Sequence, residues 1–123
     1  MNRKGFGDLI VYQKARLLAL EVFKISNGFP KEEKYSLTDQ IRRSSRSIGA
    51  NIAEAWPKRR YPKSFVSKLI DAQSESCETL HWIEIALECN YLVDSDVTLL
   101  YDIISEIQKM LSKMTQHPEK FCR

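Results

Sequence analysis

The spacing most suggestive of chemistry in this chain is Glu78-Thr79-Leu80-His81. A carboxylate and an imidazole three residues apart share a helix face, and in di-metal carboxylate bundles such a pair ligates one metal. That chemistry needs a second pair on another helix, and the sequence has none. The other histidine, His117, stands near the C-terminus with Met114 three residues before it. Glu78 and His81 therefore read as a chance pair on an acidic helix, and neither a metal nor a cofactor is expected. The three cysteines, Cys77, Cys89 and Cys122, form no Cys-x-x-Cys pair, which argues against a disulfide framework and a zinc site. Cys77 and Cys89 lie about 120° apart around a helix axis and read as packing residues. No phosphate-cradling glycine loop, nucleophile elbow or His-Glu-x-x-His helix is present. No catalytic residue is assigned, and the chain is not expected to be an enzyme.

The basic residues are a stronger signal. From Gln40 to Lys68, eight basic residues (Arg42, Arg43, Arg46, Lys58, Arg59, Arg60, Lys63 and Lys68) face the single acid Glu54, a net charge of +7. The remaining eleven basic and fifteen acidic residues leave −4, so the overall +3 conceals a strong asymmetry. Arg42, Arg43 and Arg46 span about 100° of a helix and form one arginine-rich face. Lys58, Arg59, Arg60 and Lys63 crowd the turn that follows. Guanidinium groups bind phosphate bidentately, and a multi-contact basic patch gains affinity by releasing counterions from a nucleic acid. Tyr61, among these charges, can stack on an unpaired base. The competing reading is structural: the arginines pair with Glu54, Glu75, Glu78 or acids on another copy, or form a solvated face.

These residues must be held by helices. In 123 residues, with 43% hydrophobic and 28% charged composition and only four glycines and four prolines, one all-α domain spanning 1–123 is expected. Apolar positions recur at helical spacing in four blocks, at about 8–27, 36–56, 62–90 and 95–115. Val11, Ala15, Leu18, Val22 and Ile25 line the first, with Asp8 as N-cap and Asn27-Gly28 as the stop. Leu37, Ile41, Ser44, Ile48, Asn51 and Ala55 line the second, which opens on a Ser36 and Asp39 capping box and ends at Pro57. Asn51 and Glu54 are expected as a buried polar pair. Phe65, Leu69, Ala72, Ser76, Leu80, Ile83 and Leu87 line the third, and Val97, Leu100, Ile104, Ile107, Leu111 and Met114 the fourth. Tyr12, Phe23, Phe65 and Trp82 are read as core or interface aromatics. Short loops between helices of matched length predict an antiparallel up-down-up-down four-helix bundle. With no run of roughly 20 apolar residues, no membrane span is expected, and the unpaired cysteines point to the cytoplasm.

The run Gln40-Ile41-Arg42-Arg43-Ser44-Ser45-Arg46-Ser47-Ile48-Gly49-Ala50-Asn51-Ile52-Ala53-Glu54, with Arg59-Arg60 and Phe65 after it, resembles the signature of the 23S ribosomal RNA intervening-sequence protein family, also called the four-helix bundle protein family. Asp8-Leu9 with Tyr12-Gln13-Lys14-Ala15, Phe29-Pro30 and the stretch from Glu75 to Trp82 agree with it. Ala55 departs from it, since glycine usually follows the Glu54 position. The resemblance implies a non-enzymatic bacterial protein that assembles into a homopentamer. It also implies relatives encoded within rRNA genes, and a retroelement branch whose members associate with a reverse transcriptase and with RNA or DNA.

Overall fold

The computed structural model describes residues 5–122. Four α-helices form the body: α1 (Ile10–Ser26), α2 (Leu37–Ala55), α3 (Pro62–Glu88) and α4 (Asp94–Gln116). Single 3-10 turns occupy Gly5–Asp8, Lys31–Glu33, Trp56–Arg60 and Pro118–Lys120, and no strand occurs among the described residues. α2 packs against α1 and α3, and α4 against α3 and α1. Ser26 and Gly49 mark opposite ends of the α1–α2 seam: Ser26 meets Arg42, while Gly49 faces Tyr12 and Ala15. Along α2–α3, Ser44 meets Thr79 and Glu54 meets Lys68. Along α3–α4, Ser76 meets Gln108 and Glu84 meets Tyr101. Lys14 of α1 pairs with Glu106 of α4.

Val11, Ala15, Leu18 and Val22 are buried on α1, and all six predicted seam positions of α4 are buried, with Ile103 beside them. These side chains join those of α2 and α3 in one apolar cluster. Burial of such side chains from water is the main favourable term in folding, about 1.5–3 kcal/mol for each large one. A polar layer crosses the core. The Thr79 hydroxyl donates to Ser44 Oγ at 2.9 Å and lies equally close to the Glu75 carbonyl, while Gln108 Nε2 donates to Ser76 Oγ at 3.1 Å. Ser44, Ser76 and Thr79 are fully buried, so these bonds satisfy groups that would otherwise be costly.

The helix ends correct several expectations. Asp8 does not cap α1: it closes the preceding 3-10 turn, and extended Leu9 takes the cap position. That turn starts at Gly5, whose φ of +87° favours a missing side chain, and a Cβ there would crowd Trp56 at 3.1 Å from the indole nitrogen. The Ser36 and Asp39 capping box does not form either. Ser36 Oγ instead donates to Glu33 at 2.7 Å, and the same carboxylate accepts the Leu37 N–H and, at 3.0 Å, the Tyr91 hydroxyl. These bonds hold the Glu33 carboxyl below its ordinary range, the Ser36 contact foremost. α2 stops at Ala55 ahead of Pro57, and α3 opens on Pro62, where a missing N–H costs nothing. α3 ends at Glu88 rather than Asn90. Asn90 adopts φ 61°, and the bonds Tyr91 N–H to Ala86 O and Asn90 N–H to Leu87 O complete a Schellman closure.

On α2 the buried stripe passes through Ile52, not Asn51; on α3 it passes through Thr79 and Ala86, leaving Leu80 and Leu87 partly buried. Asn51 and Glu54 are no buried pair. Asn51 Nδ2 donates back to the Ser47 carbonyl at 2.9 Å, and Glu54 is exposed and bound to Lys68 at 2.8 Å. The reason is angular: Ser44, Ile48, Ile52 and Ala55 already complete the inward row, which rotates Asn51 to its edge.

Candidate nucleic-acid interface

The arginines of α2 stand on its first half, where the chain has just turned out of the Lys31–Glu33 segment. Arg42 is bound inward. Its Nε donates to Ser26 Oγ at 2.8 Å, a terminal nitrogen donates to Asn27 Oδ1 at 3.0 Å, and the guanidinium lies 4.8 Å from the Phe23 ring centre. Arg42 thus ties the end of α1 to α2. Arg43 and Arg46 are exposed, with Arg46 at 5.9 Å from the same ring. They border an open depression of about 580 Å³ whose other walls include Lys34, Tyr35 and Thr38.

The second basic group sits beyond the end of α2. Arg59 Nε donates to the Trp56 carbonyl at 2.8 Å, and its guanidinium lies 3.6 Å from the centre of the Trp56 ring. Trp56, Pro57, Arg59, Arg60 and Tyr61 enclose a depression of about 440 Å³. Lys58, Arg60 and Lys63 are exposed. Lys68 is taken out of the basic set by Glu54 and, at 3.7 Å, by Asp71. Its hydrogen bond to Glu54 holds the Glu54 carboxyl below and the Lys68 ammonium above their ordinary values.

These features accompany a match over residues 7–113 to the family described as 23S rRNA-intervening sequence protein. The chain belongs to this family. A crystal structure of a protein of unknown function from the S23 ribosomal protein family of Bacteroides thetaiotaomicron is 29% identical to it, with a TM-score of 0.77. That likeness covers 86% of this chain and 98% of the other. No match to a curated protein is found.

Within this family member the seven basic residues form two groups rather than one. Twelve residues separate Arg46 from Lys58, roughly 18 Å at the helical rise per residue. Among the described residues none of Arg43, Arg46, Lys58, Arg60 and Lys63 is in an ion pair. The intrachain pairings expected of the structural reading do not form: Glu54 takes Lys68, and Glu78 accepts the Trp82 indole N–H at 3.4 Å. Glu75 is closest to an arginine partner. The Arg43 charge pulls its pKa down, yet burial first and the Glu78 charge second outweigh that pull, and the Glu75 carboxyl is held above its ordinary range. Its Oε2 is buried without a hydrogen-bond partner.

His81 is exposed, with its ring centre 4.8 Å from that of Trp82. Among the described residues no three His, Cys, Asp or Glu side chains gather. Cys77 and Cys89 are exposed rather than packed, contrary to the expectation, because neither lies on the inward row of α3. Phe65 is in the core, whereas Phe23 is 40% exposed and carries two guanidinium groups. No helix of the described residues is long and apolar enough to cross a membrane. Two side chains escaped the sequence reading. Tyr35, 84% exposed, walls the first depression with Lys34 Nζ 5.3 Å from its ring centre. Arg16 of α1 lines a groove with Arg46, Ala50 and Ala53 of α2. Adjacent Lys34-Tyr35 was a legible signal for the first; Arg16, twenty-four residues before the basic segment, offered none.

Proposed function

We propose that this chain is a non-enzymatic, self-associating nucleic-acid-binding protein, and that Arg43, Arg46, Lys58, Arg60 and Lys63 contact phosphate. The observation that carries the reading is that none of the five is in an ion pair among the described residues. Five cations held on α2, the turn after it and the first turn of α3 repel one another, and an anionic polymer relieves that repulsion while releasing its counterions. Arg42 and Arg59 support the surface from beneath, through Ser26, Asn27 and Trp56. The framework is an up-down-up-down bundle, supported by the reversed order of contacts along each helix seam and by the short connections of residues 27–36, 56–61 and 89–93.

Self-association is supported by the outer side of α1, where Ile10, Leu17, Leu20 and Phe23 are 40–61% exposed. A homopentamer is the assembly the family resemblance implies, and light scattering measures it. The second reading, in which Arg43 and Arg46 pair with acids of another copy, is favoured by the same absence of an ion pair for either arginine among the described residues. Charge-reversal variants separate the two readings. Arg60→Glu with Lys63→Glu should weaken RNA binding at unchanged helicity and oligomer mass. Unchanged binding contradicts the first reading, and dissociation of the oligomer on Arg43→Glu supports the second.

A further inference from the structure

Tyr35 and Tyr61 are 84% and 63% exposed, so their rings add little to the stability of the fold. Most large aromatic side chains bury far more of their surface, because exposing it to water is unfavourable. Both tyrosines stand beside cations: Tyr35 with Lys34, Arg43 and Arg46 around one depression, Tyr61 with Arg60 at the other. Both also sit at fixed points of the backbone. Tyr35 lies between the 3-10 turn at Lys31–Glu33 and α2, and Tyr61 is the extended residue that caps α3. They mark the two ends of α2, a helix of 19 residues, and so lie roughly 30 Å apart along it.

An aromatic face next to phosphate-binding cations discriminates between forms of nucleic acid. In a duplex each base face is covered by its neighbours and only edges and backbone are offered. In a single strand the faces are open, and base–aromatic stacking tolerates any sequence because every base has a π-face. We propose that the ligand of this surface is an unpaired strand whose bases stack on Tyr35 and Tyr61 while the flanking arginines and lysines hold its phosphates. This rests on the phosphate-binding reading above and adds the strandedness of the ligand. The two platforms act separately, each with its own cations, so loss of one leaves the other in place.

The test compares a single-stranded oligonucleotide of about 20 nucleotides, longer than the roughly 4–16 nucleotides that a small single-strand-binding fold covers, with a duplex of the same length. RNA and DNA versions of both are titrated by fluorescence anisotropy. The single strand should bind more tightly in either sugar, and 2-aminopurine placed along it should be quenched on binding. Tyr35→Leu and Tyr61→Leu should each weaken single-strand binding by roughly 5- to 100-fold, leave the duplex affinity unchanged, and leave helicity intact. Tyr35→Phe and Tyr61→Phe should retain binding. Duplex binding as tight as single-strand binding overturns the inference while preserving the phosphate reading, as do leucine variants that bind like the native chain. If neither form binds, the phosphate reading fails and the inference falls with it.

Discussion

Arg42→Ala separates scaffold from surface within the basic segment. The substitution removes a charge-assisted bond to the 3%-exposed Ser26, a bond to exposed Asn27, and a guanidinium–ring contact of 4.8 Å with Phe23. A hydrogen bond from a charged group contributes about 1.5 kcal/mol at the low end of its range, and the exposed bond about 0.5 kcal/mol. A partly exposed cation–π contact adds about 0.5 kcal/mol. Water replaces some of this after truncation, and the expected loss is about 2 kcal/mol. For a domain between the size classes usually tabulated, that lowers Tm by about 6–10 °C. Arg60→Ala, with no side-chain bond among the described residues, should stay within about 0.5 kcal/mol of the native chain. Circular dichroism melts and urea titrations with an unchanged m-value measure both. A native-like Tm for Arg42→Ala, coupled with a loss of RNA affinity as large as that of Arg43→Ala, would refute the division.

Glu75→Gln should stabilise the fold at pH 7 by about 1 kcal/mol, by relieving a buried carboxylate oxygen without a partner. Because burial raises the Glu75 pKa in the folded state, its favourable contribution is present below the ordinary carboxylate value and is lost as pH rises through the folded value. The gap between variant and native chain should therefore close in melts near pH 4; a gap that widens on acidification contradicts the assignment. Asn90→Ala should cost about 1 kcal/mol because asparagine tolerates the left-handed region at φ 61° better than alanine does, whereas Asn90→Gly should be neutral or stabilising. Equal melting temperatures for the two variants would show that the α3 closure does not depend on the left-handed residue.

The legibility of the fold varied with how completely a helix's apolar row was built from large residues. α4 carries Val97, Leu100, Ile104, Ile107, Leu111 and Met114 without interruption, and every one is buried. α2 alternates Ile with Ser, Gly and Ala, so its row could be drawn through Asn51 as easily as through Ile52. Only packing against α1, where Gly49 faces Tyr12 and Ala15, decides between them. Helix starts were read from local capping patterns, but α2 is held by Glu33 from outside the helix and α1 follows a 3-10 turn whose Gly5 lies close to Trp56. The basic segment was visible as charge. Its division was not, because the partners that bind Arg42 inward lie sixteen and fifteen residues earlier and the acid that takes Lys68 lies fourteen residues before it.

The salt dependence of single-strand affinity tests the central claim most directly. If Arg43, Arg46, Lys58, Arg60 and Lys63 each neutralise one phosphate, the slope of log K against log salt is about −3.5, from about 0.7 per phosphate. Affinity then falls roughly 100-fold between about 50 and 200 mM salt, and the Arg60→Glu, Lys63→Glu double variant shows a slope shallower by about 1.4. No binding at about 50 mM salt, or an affinity unchanged across this range, contradicts the claim that these five side chains meet phosphate.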